Sequence, residues 1–235
     1  VNGFDRSVLL GISQFTHRVR WLDEVIGVLN RSALFKGGVV LSSFWWLWFA
    51  PRTSTRQVRG ALVASLAGGF IALIVGRVLA LLLPFRVRPL HNPSLGFVPP
   101  YGTGAGELRG WSSFPSDHAM MYAALAVGFW YVSKRAGLFL AAWTVVVICL
   151  PRLYCGQHYP TDIVAGLGIG ALIGMLVQRA RIRDRLAEPV LIWSERHPGS
   201  CYASLFLLTV GIATMFLDVR ELLKIAVNAV KGTPD

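Results

Sequence analysis

Arg152-Leu153-Tyr154-Cys155-Gly156-Gln157-His158-Tyr159-Pro160-Thr161-Asp162 sets an arginine, a histidine and an aspartate between two long apolar runs. Polar groups are costly to withdraw from water unless they find partners, so a cluster here needs a reason. If the helix after Pro160 begins near His158, Asp162 lies one turn beyond the imidazole. Its carboxylate can then orient one ring nitrogen while the other faces a substrate. A histidine held in this way is a base or a nucleophile. Arg152, six residues before the histidine, can fold back to hold an anion against the ring, because its planar fork suits phosphate oxygens. The competing reading is a helix cap at Asp162 surrounded by interfacial charges.

Outward from this cluster the chain is apolar. Of 235 residues 54% are hydrophobic and only 15% charged, with a mean hydropathy of +0.55 and a formal charge of +11. A soluble domain carries roughly a quarter charged residues, so the deficit points to several membrane-spanning helices. The basic excess does not imply nucleic acid; in a membrane protein it fixes topology and meets anionic lipid headgroups. Cys149, Cys155 and Cys201 form no even framework and are expected as free thiols. Charges run throughout the first 36 residues rather than forming a basic patch before an apolar core, so no cleavable signal peptide is expected.

The expected fold is all-α, a polytopic bundle of about six transmembrane helices with an N-terminal amphipathic helix. Residues 1–32 repeat Phe4, Leu9, Ile12, Phe15, Val19, Leu22 and Ile26 at helical spacing among charges, the pattern of a helix lying on the membrane surface. Spans are expected at 33–50, 60–83, 116–133, 137–151, 161–178 and 202–217. The membrane domain is then 33–217 and the tail 218–235. Trp45, Trp46, Trp48, Trp130, Tyr131 and Tyr159 are read as interfacial markers.

Orientation follows from Lys and Arg in the connections. Arg52, Arg56, Arg59, Lys134, Arg135, Arg179, Arg181, Arg183, Arg185 and Arg196 fall on one face if the spans alternate, the last five in a connection over 179–200. Arg86, Arg88, Arg109 and Arg152 fall on the other. Ten against four puts the first face in the cytoplasm and the Arg152–Asp162 cluster outside. Both termini then lie outside, which conflicts with five basic residues, Arg6, Arg18, Arg20, Arg31 and Lys36, ahead of the first span.

Two further stretches reach that outer face. Pro84-Phe85-Arg86-Val87-Arg88-Pro89 leaves the membrane with a pair of cations and a helix-stopping proline; an interfacial basic collar is its alternative reading. Phe114-Pro115-Ser116-Asp117-His118 opens the third span. There Ser116 is a good N-cap, the free amides of the first turn form an anion site, and His118 can donate a proton to a leaving oxygen. A capped helix with an incidental histidine is the competing reading.

An Arg-Pro pair, then Pro-Ser-x-His, then Arg-x5-His-x3-Asp, each at a span boundary, resembles the type 2 phosphatidic acid phosphatase superfamily of integral membrane lipid phosphatases. Phe-Pro-Ser-Asp-His-Ala and Gly-x-His-Tyr-Pro-x-Asp resemble its bacterial undecaprenyl-diphosphatase branch. The resemblance implies that His158 attacks phosphorus to give a phosphohistidine, Asp162 fixes its tautomer, and His118 protonates the leaving oxygen and then assists water. It implies further that Arg88, Ser116, the amide of Asp117 and Arg152 cradle the phosphoryl oxygens. No metal and no cofactor are expected, and the partners are the lipid phosphate and membrane lipids. The family's first motif normally opens with a lysine where this chain has Leu81, so Arg77 or Arg86 is the candidate replacement. Pro151 stands where the third motif often has serine. Asp117 replaces the second motif's usual glycine, and its carboxylate must point away from the phosphate.

The expected function is therefore removal of the terminal phosphate of a lipid phosphate or diphosphate, first undecaprenyl diphosphate, at the outer face of a bacterial inner membrane. Phosphatidylglycerophosphate, phosphatidic acid, lipid A phosphates and a polyprenyl-linked sugar phosphate are alternative substrates. A lipid phosphotransferase uses the same residues. An anion transporter would need charged or broken helices deep in the membrane, where only Arg77 qualifies. A metallohydrolase using His118, His158 and Asp162 lacks paired ligand spacing. His17, His91 and His197 are read as surface residues.

Overall fold

Helices make up the regular structure among the described residues of the computed structural model, which are 1–50, 55–104 and 108–216. They are α1 Gly3–Ser13, α2 Arg20–Arg31, α3 Leu34–Phe49, α4 Arg56–Leu82, α5 Asp117–Val132, α6 Lys134–Tyr154, α7 Pro160–Val177, α8 Ala180–Arg196 and α9 Pro198–Ala213. Each of the six expected spans overlaps a helix, the last of them, 202–217, offset by four residues from Pro198–Ala213. Among the described residues, however, only α4, α6 and α7 are long and apolar enough to cross a membrane, or four spans if α2 and α3, bent by 63°, count as one. α5 and α9 have 16 residues each, short of the about 20 that a hydrocarbon core needs for an untilted helix. The expected tail 218–235 lies outside the described residues.

α5 is the central element, packed against α4, α6 and α7. Its residues from Ala119 to Ala126 are all buried, as expected of a helix that is apolar on every side. α7 reaches it through Gly166, Gly170 and Gly174, spaced by four so that they form one stripe. A methyl group at Gly166 would stand 2.7 Å from the Ser116 carbonyl oxygen, and one at Gly170 would run into the Met120 carbonyl. α6 is continuous because a wide π turn over Thr144–Cys149 precedes Pro151, where a regular helix would lose a backbone bond.

Three expectations are corrected. The stretch 179–200 is largely helix rather than a connection: Ala187 and Leu191 pack on Gly60, and Arg56 pairs with Glu188 at 2.7 Å and with Glu195. A count of charges passed over this four-residue apolar spacing. Trp48 is fully buried against Phe44 while Trp46 is 75% exposed, so the tryptophan run divides between core and surface by helical phase. Tyr159 is also buried, and Asn92 donates to its hydroxyl at 3.1 Å, which makes it part of the interior and not a boundary marker.

Candidate active site

Three chain turns meet at one end of the bundle. The stretch after α4, the entry to α5 and the loop before α7 are tied by Ser113 N to Arg86 O at 2.9 Å, Ser116 N to Asp162 O at 3.2 Å and Leu90 N to Gly156 O at 2.9 Å. Loop backbone at this depth requires such internal partners.

His158 is 2% exposed. Its Nδ1 stands 2.8 Å from the Ser113 carbonyl and 3.8 Å from Asp162 Oδ2. The carbonyl is therefore the nearer acceptor; it assigns the proton to Nδ1 and leaves the lone pair on Nε2, 3.4 Å from Arg88 Nη1. Burial lowers the pKa of this histidine, opposed by Asp162 and Asp117, with Arg88 reinforcing the burial. Asp162 is engaged elsewhere as well: Oδ2 accepts the Tyr159 amide at 2.8 Å, closing the cap of α7, and Oδ1 pairs with Arg86. No residue letter marked Ser113, because its part is played by backbone.

At the start of α5 the Ser116 hydroxyl accepts the Ala119 amide at 3.5 Å. One turn of helix then presents Asp117 and His118. Asp117 Oδ1 lies 2.8 Å from His118 Nδ1, and its other oxygen pairs with Arg77, whose guanidinium sits 4.9 Å from the Trp111 ring centre. The Nε2 atom of His118 is the one left for a ligand.

The candidate phosphate ligands separate into two groups. Arg88 donates to the carbonyls of Trp111 at 3.1 Å, Ser112 at 3.0 Å and Gln157 at 2.6 Å, which leaves part of its five-donor fork for a ligand. Burial lowers its pKa to about 10, so it stays charged at neutral pH. Arg152 is 4% exposed; Nη1 reaches Asn30 Oδ1 at 3.3 Å and Ile148 O at 3.5 Å, and its Nε and Nη2 make no hydrogen bond among the described residues. Arg86, by contrast, is held by Asp162 and by Asp5 at 2.6 Å and lies over the Tyr159 ring at 4.2 Å.

A cavity of about 240 Å³ is lined by Arg77, Arg88, Asp117, His118, Arg152 and His158 together with residues from the N-terminal helices. Ser116, Asp162 and Arg86 stand behind this wall. A second cavity of about 470 Å³ shares Arg77, Arg88 and Asp117 and is otherwise walled by Ala80, Leu81, Leu83, Phe85 and Trp111. Leu81 is 84% exposed at its rim. A larger groove of about 810 Å³, lined by Trp130, Leu138 and Met175, contains neither histidine. Among the described residues no three His, Cys, Asp or Glu side chains gather into a metal site.

Sequence reasoning missed the contribution of α1 and α2. Asp5 accepts from the Thr161 amide at 2.9 Å and hydroxyl at 2.7 Å as well as from Arg86, which puts a second carboxylate on the N-terminus of α7. Asp23 accepts from the Tyr154 hydroxyl and from the amides of His17 at 3.1 Å and Tyr101 at 3.2 Å. The available signal was phase: Asp5 is one turn from the fully buried Leu9, on the same stripe.

A family model described as PAP2 superfamily matches residues 57–185. Undecaprenyl-diphosphatase BcrC of Bacillus subtilis is 24% identical over 176 residues, 73% of this chain and 81% of that protein. A decaprenylphosphoryl-5-phosphoribose phosphatase of Mycobacterium tuberculosis is 34% identical over 135 residues, 54% of this chain and 69% of its own length. A lipid A 4'-phosphatase of Porphyromonas gingivalis is 29% identical over 119 residues, 50% of this chain and 49% of its own. The crystal structure of a transmembrane PAP2 type phosphatidylglycerolphosphate phosphatase from Bacillus subtilis superposes with a TM-score of 0.52 at 21% identity, covering 74% of this chain and 82% of that one. The stretch matched by the family model is more than half of the chain and holds both histidines with the arginines beside them, and by that measure the chain belongs to the PAP2 superfamily.

Proposed function

We propose that the protein is a lipid phosphatase of the bacterial inner membrane that removes the terminal phosphate of a polyprenyl diphosphate, undecaprenyl diphosphate first, from a site facing the periplasm. The observation that carries the reading is one cavity lined by two histidines and by Arg88 and Arg152. Their Nδ1 atoms are engaged by different acceptors, Ser113 O for His158 and Asp117 for His118. Polyprenyl substrates are named for two of the relatives, and the apolar walls of the adjoining cavity suit a lipid tail.

In this mechanism Nε2 of His158 forms a bond to the terminal phosphorus as the bond from phosphorus to the bridging oxygen breaks. The electron pair leaves on that oxygen, which takes a proton from Nε2 of His118. Burial keeps His158 neutral and therefore nucleophilic. Arg88 and Arg152 meet the charge that spreads over the transferring oxygens, the task a metal would otherwise perform, so the reaction is proposed to need none. Water, deprotonated by the now neutral His118, then attacks the phosphohistidine and regenerates the enzyme.

Phosphate release from a panel of undecaprenyl diphosphate, phosphatidylglycerophosphate, phosphatidic acid and lipid A phosphates, each with and without a chelator, tests the proposal. Highest kcat/KM on the polyprenyl diphosphate, unchanged by chelation, is expected, with His158→Ala reduced below about one per cent. Preference for another lipid would revise the substrate. Loss with chelator and rescue by a divalent ion would replace the mechanism by a metal-dependent one.

A further inference from the structure

α6 and α7 each pack on α5, and between them runs the groove of about 810 Å³ that contains neither histidine. Small side chains make room for it. Ala123 and Ala126 of α5 are buried at its floor, with Ala141 of α6 and Ala171 of α7 on its walls. Trp130, Leu138, Val145 and Met175 line it and are exposed. Because α6 and α7 are long and apolar enough to span, this mouth opens on lipid and not on water.

Length and charge indicate what fills it. Along α6 the lining runs from Lys134 to Val145, eleven residues on, or about 16 Å at 1.5 Å per residue. One leaflet of a hydrocarbon core is about 15 Å thick, so the groove is as long as an acyl chain lies deep. Lys134 is the charged residue of the lining, and it stands at the end remote from the site, since His118 opens α5 and Lys134 follows its last turn. Arg135 is beside it; both are exposed, and neither has an ion-pair partner among the described residues. Trp130 and Tyr131, of the residue types that settle at headgroup level, line the same end. Deeper in, the Thr144 hydroxyl donates to the Leu140 carbonyl at 2.7 Å, which leaves an apolar trough with cations at one end. That is the pattern of one tail and one headgroup.

We infer that this groove binds one anionic phospholipid of the leaflet remote from the histidines. An acyl chain lies between α6 and α7 over α5, and the headgroup phosphate meets Lys134 and Arg135. Basic residues at the membrane end of a groove between spans recognise anionic headgroups in this way. The lipid ties α6, which carries Arg152, to α7, which carries Asp162, across a gap that α5 alone does not fill. It is a site separate from the catalytic one, and the inference does not depend on which lipid the catalytic site takes.

Native mass spectrometry of the full chain in neutral detergent, titrated with phosphatidylglycerol or with phosphatidylcholine of identical chains, tests the inference. The unaltered protein is expected to hold one phosphatidylglycerol about tenfold or more tighter than phosphatidylcholine. Lys134→Gln combined with Arg135→Gln should remove about tenfold of that preference, the scale of two basic residues at an anionic lipid surface. Lys134→Arg, which keeps the charge, should retain it. Ala141→Trp, which adds bulk at an exposed position of the groove wall, should weaken both lipids alike. Equal binding of the two lipids by the unaltered protein overturns the inference, as does a preference that survives the double glutamine variant. A preference lost in Arg152→Ala but kept in the double variant would place the headgroup at the histidines and overturns it too. So does a dimer that Ala141→Trp dissociates with no lipid bound, which would give the groove to a second copy of the chain.

Discussion

At the scale of single residues, the two histidines differ in the acceptor at Nδ1: a neutral carbonyl for His158, a carboxylate for His118. Each acceptor leaves Nε2 as the ring nitrogen turned to the cavity, and in the proposed mechanism Nε2 of His158 attacks while Nε2 of His118 donates the proton. His118→Ala should then depend on the leaving group. On an alkyl phosphate the loss should be on the order of a thousandfold, whereas nitrophenyl phosphate, whose leaving oxygen needs little protonation, should recover at least tenfold of it. Equal losses on both would assign His118 a structural role. The lowered pKa of His158 fixes the sign of a pH effect. The neutral ring is the reactive form, so activity falls as pH drops through its pKa, below the ordinary value of about 6.5. Asp162 opposes that lowering, and Asp162→Asn should therefore move the acid limb of kcat/KM to still lower pH on the same substrate. A limb that moves upward, or stays, would mean that His158 is not the titrating group.

Among the elements, the contact between α5 and α7 holds the site together, because His118 stands at the start of one and Asp162 at the start of the other. Their backbones approach at Gly170 so closely that a methyl group meets the Met120 carbonyl. Backbone cannot yield as a flexible side chain can, so Gly170→Val should cost about 2 kcal/mol or more, read as a lower unfolding midpoint in detergent. Gly168→Val, on the same helix with nothing within 4 Å of its Cβ position, should change that midpoint little. If the two variants unfold alike, the close approach is not what binds the helices. The N-terminal helices act on the same elements through Asp5. Asp5→Ala removes an acceptor from Thr161 and the counter-charge from Arg86, and should reduce kcat by about tenfold or more with KM little changed, since the α7 cap shifts and the phosphate ligands do not. A purely KM effect would place Asp5 in substrate binding instead.

For the whole molecule, sidedness is a matter of charge. α1 and α2 dock on the end of the bundle that carries the site, so Arg6, Arg18, Arg20, Arg31 and Lys36 join Arg86, Arg88, Arg109 and Arg152 there. Six of these nine, Arg20, Arg31, Lys36, Arg86, Arg88 and Arg152, are held in the cavity wall or in ion pairs, as are Arg56 and Arg183 of the ten on the opposite face, which leaves three against eight. This supports a periplasmic site, since Lys and Arg without other duties concentrate on the cytoplasmic side. With Cys149, Cys155 and Cys201 replaced, Gly104→Cys should react with an impermeant thiol reagent in intact spheroplasts and Arg185→Cys should not. The reverse pattern would put the site in the cytoplasm. The sequence by itself determined the all-α membrane class, the positions of the helices and the motif residues, because apolar runs and polar interruptions are local properties that survive without coordinates. It also carried the pairing of His158 with Asp162 as far as one helical turn reaches, and spacing marks Asp162 as a near neighbour whichever acceptor takes the proton. Only the tertiary structure decided that Ser113 O is the nearer acceptor, that Arg86 is occupied by two carboxylates and Arg77 by one, and that Asp5, Asn30 and Lys36 reach the site. Each of these joins segments far apart in the chain, and their contact is set by how α1, α2, α5 and α7 pack, which no local spacing records.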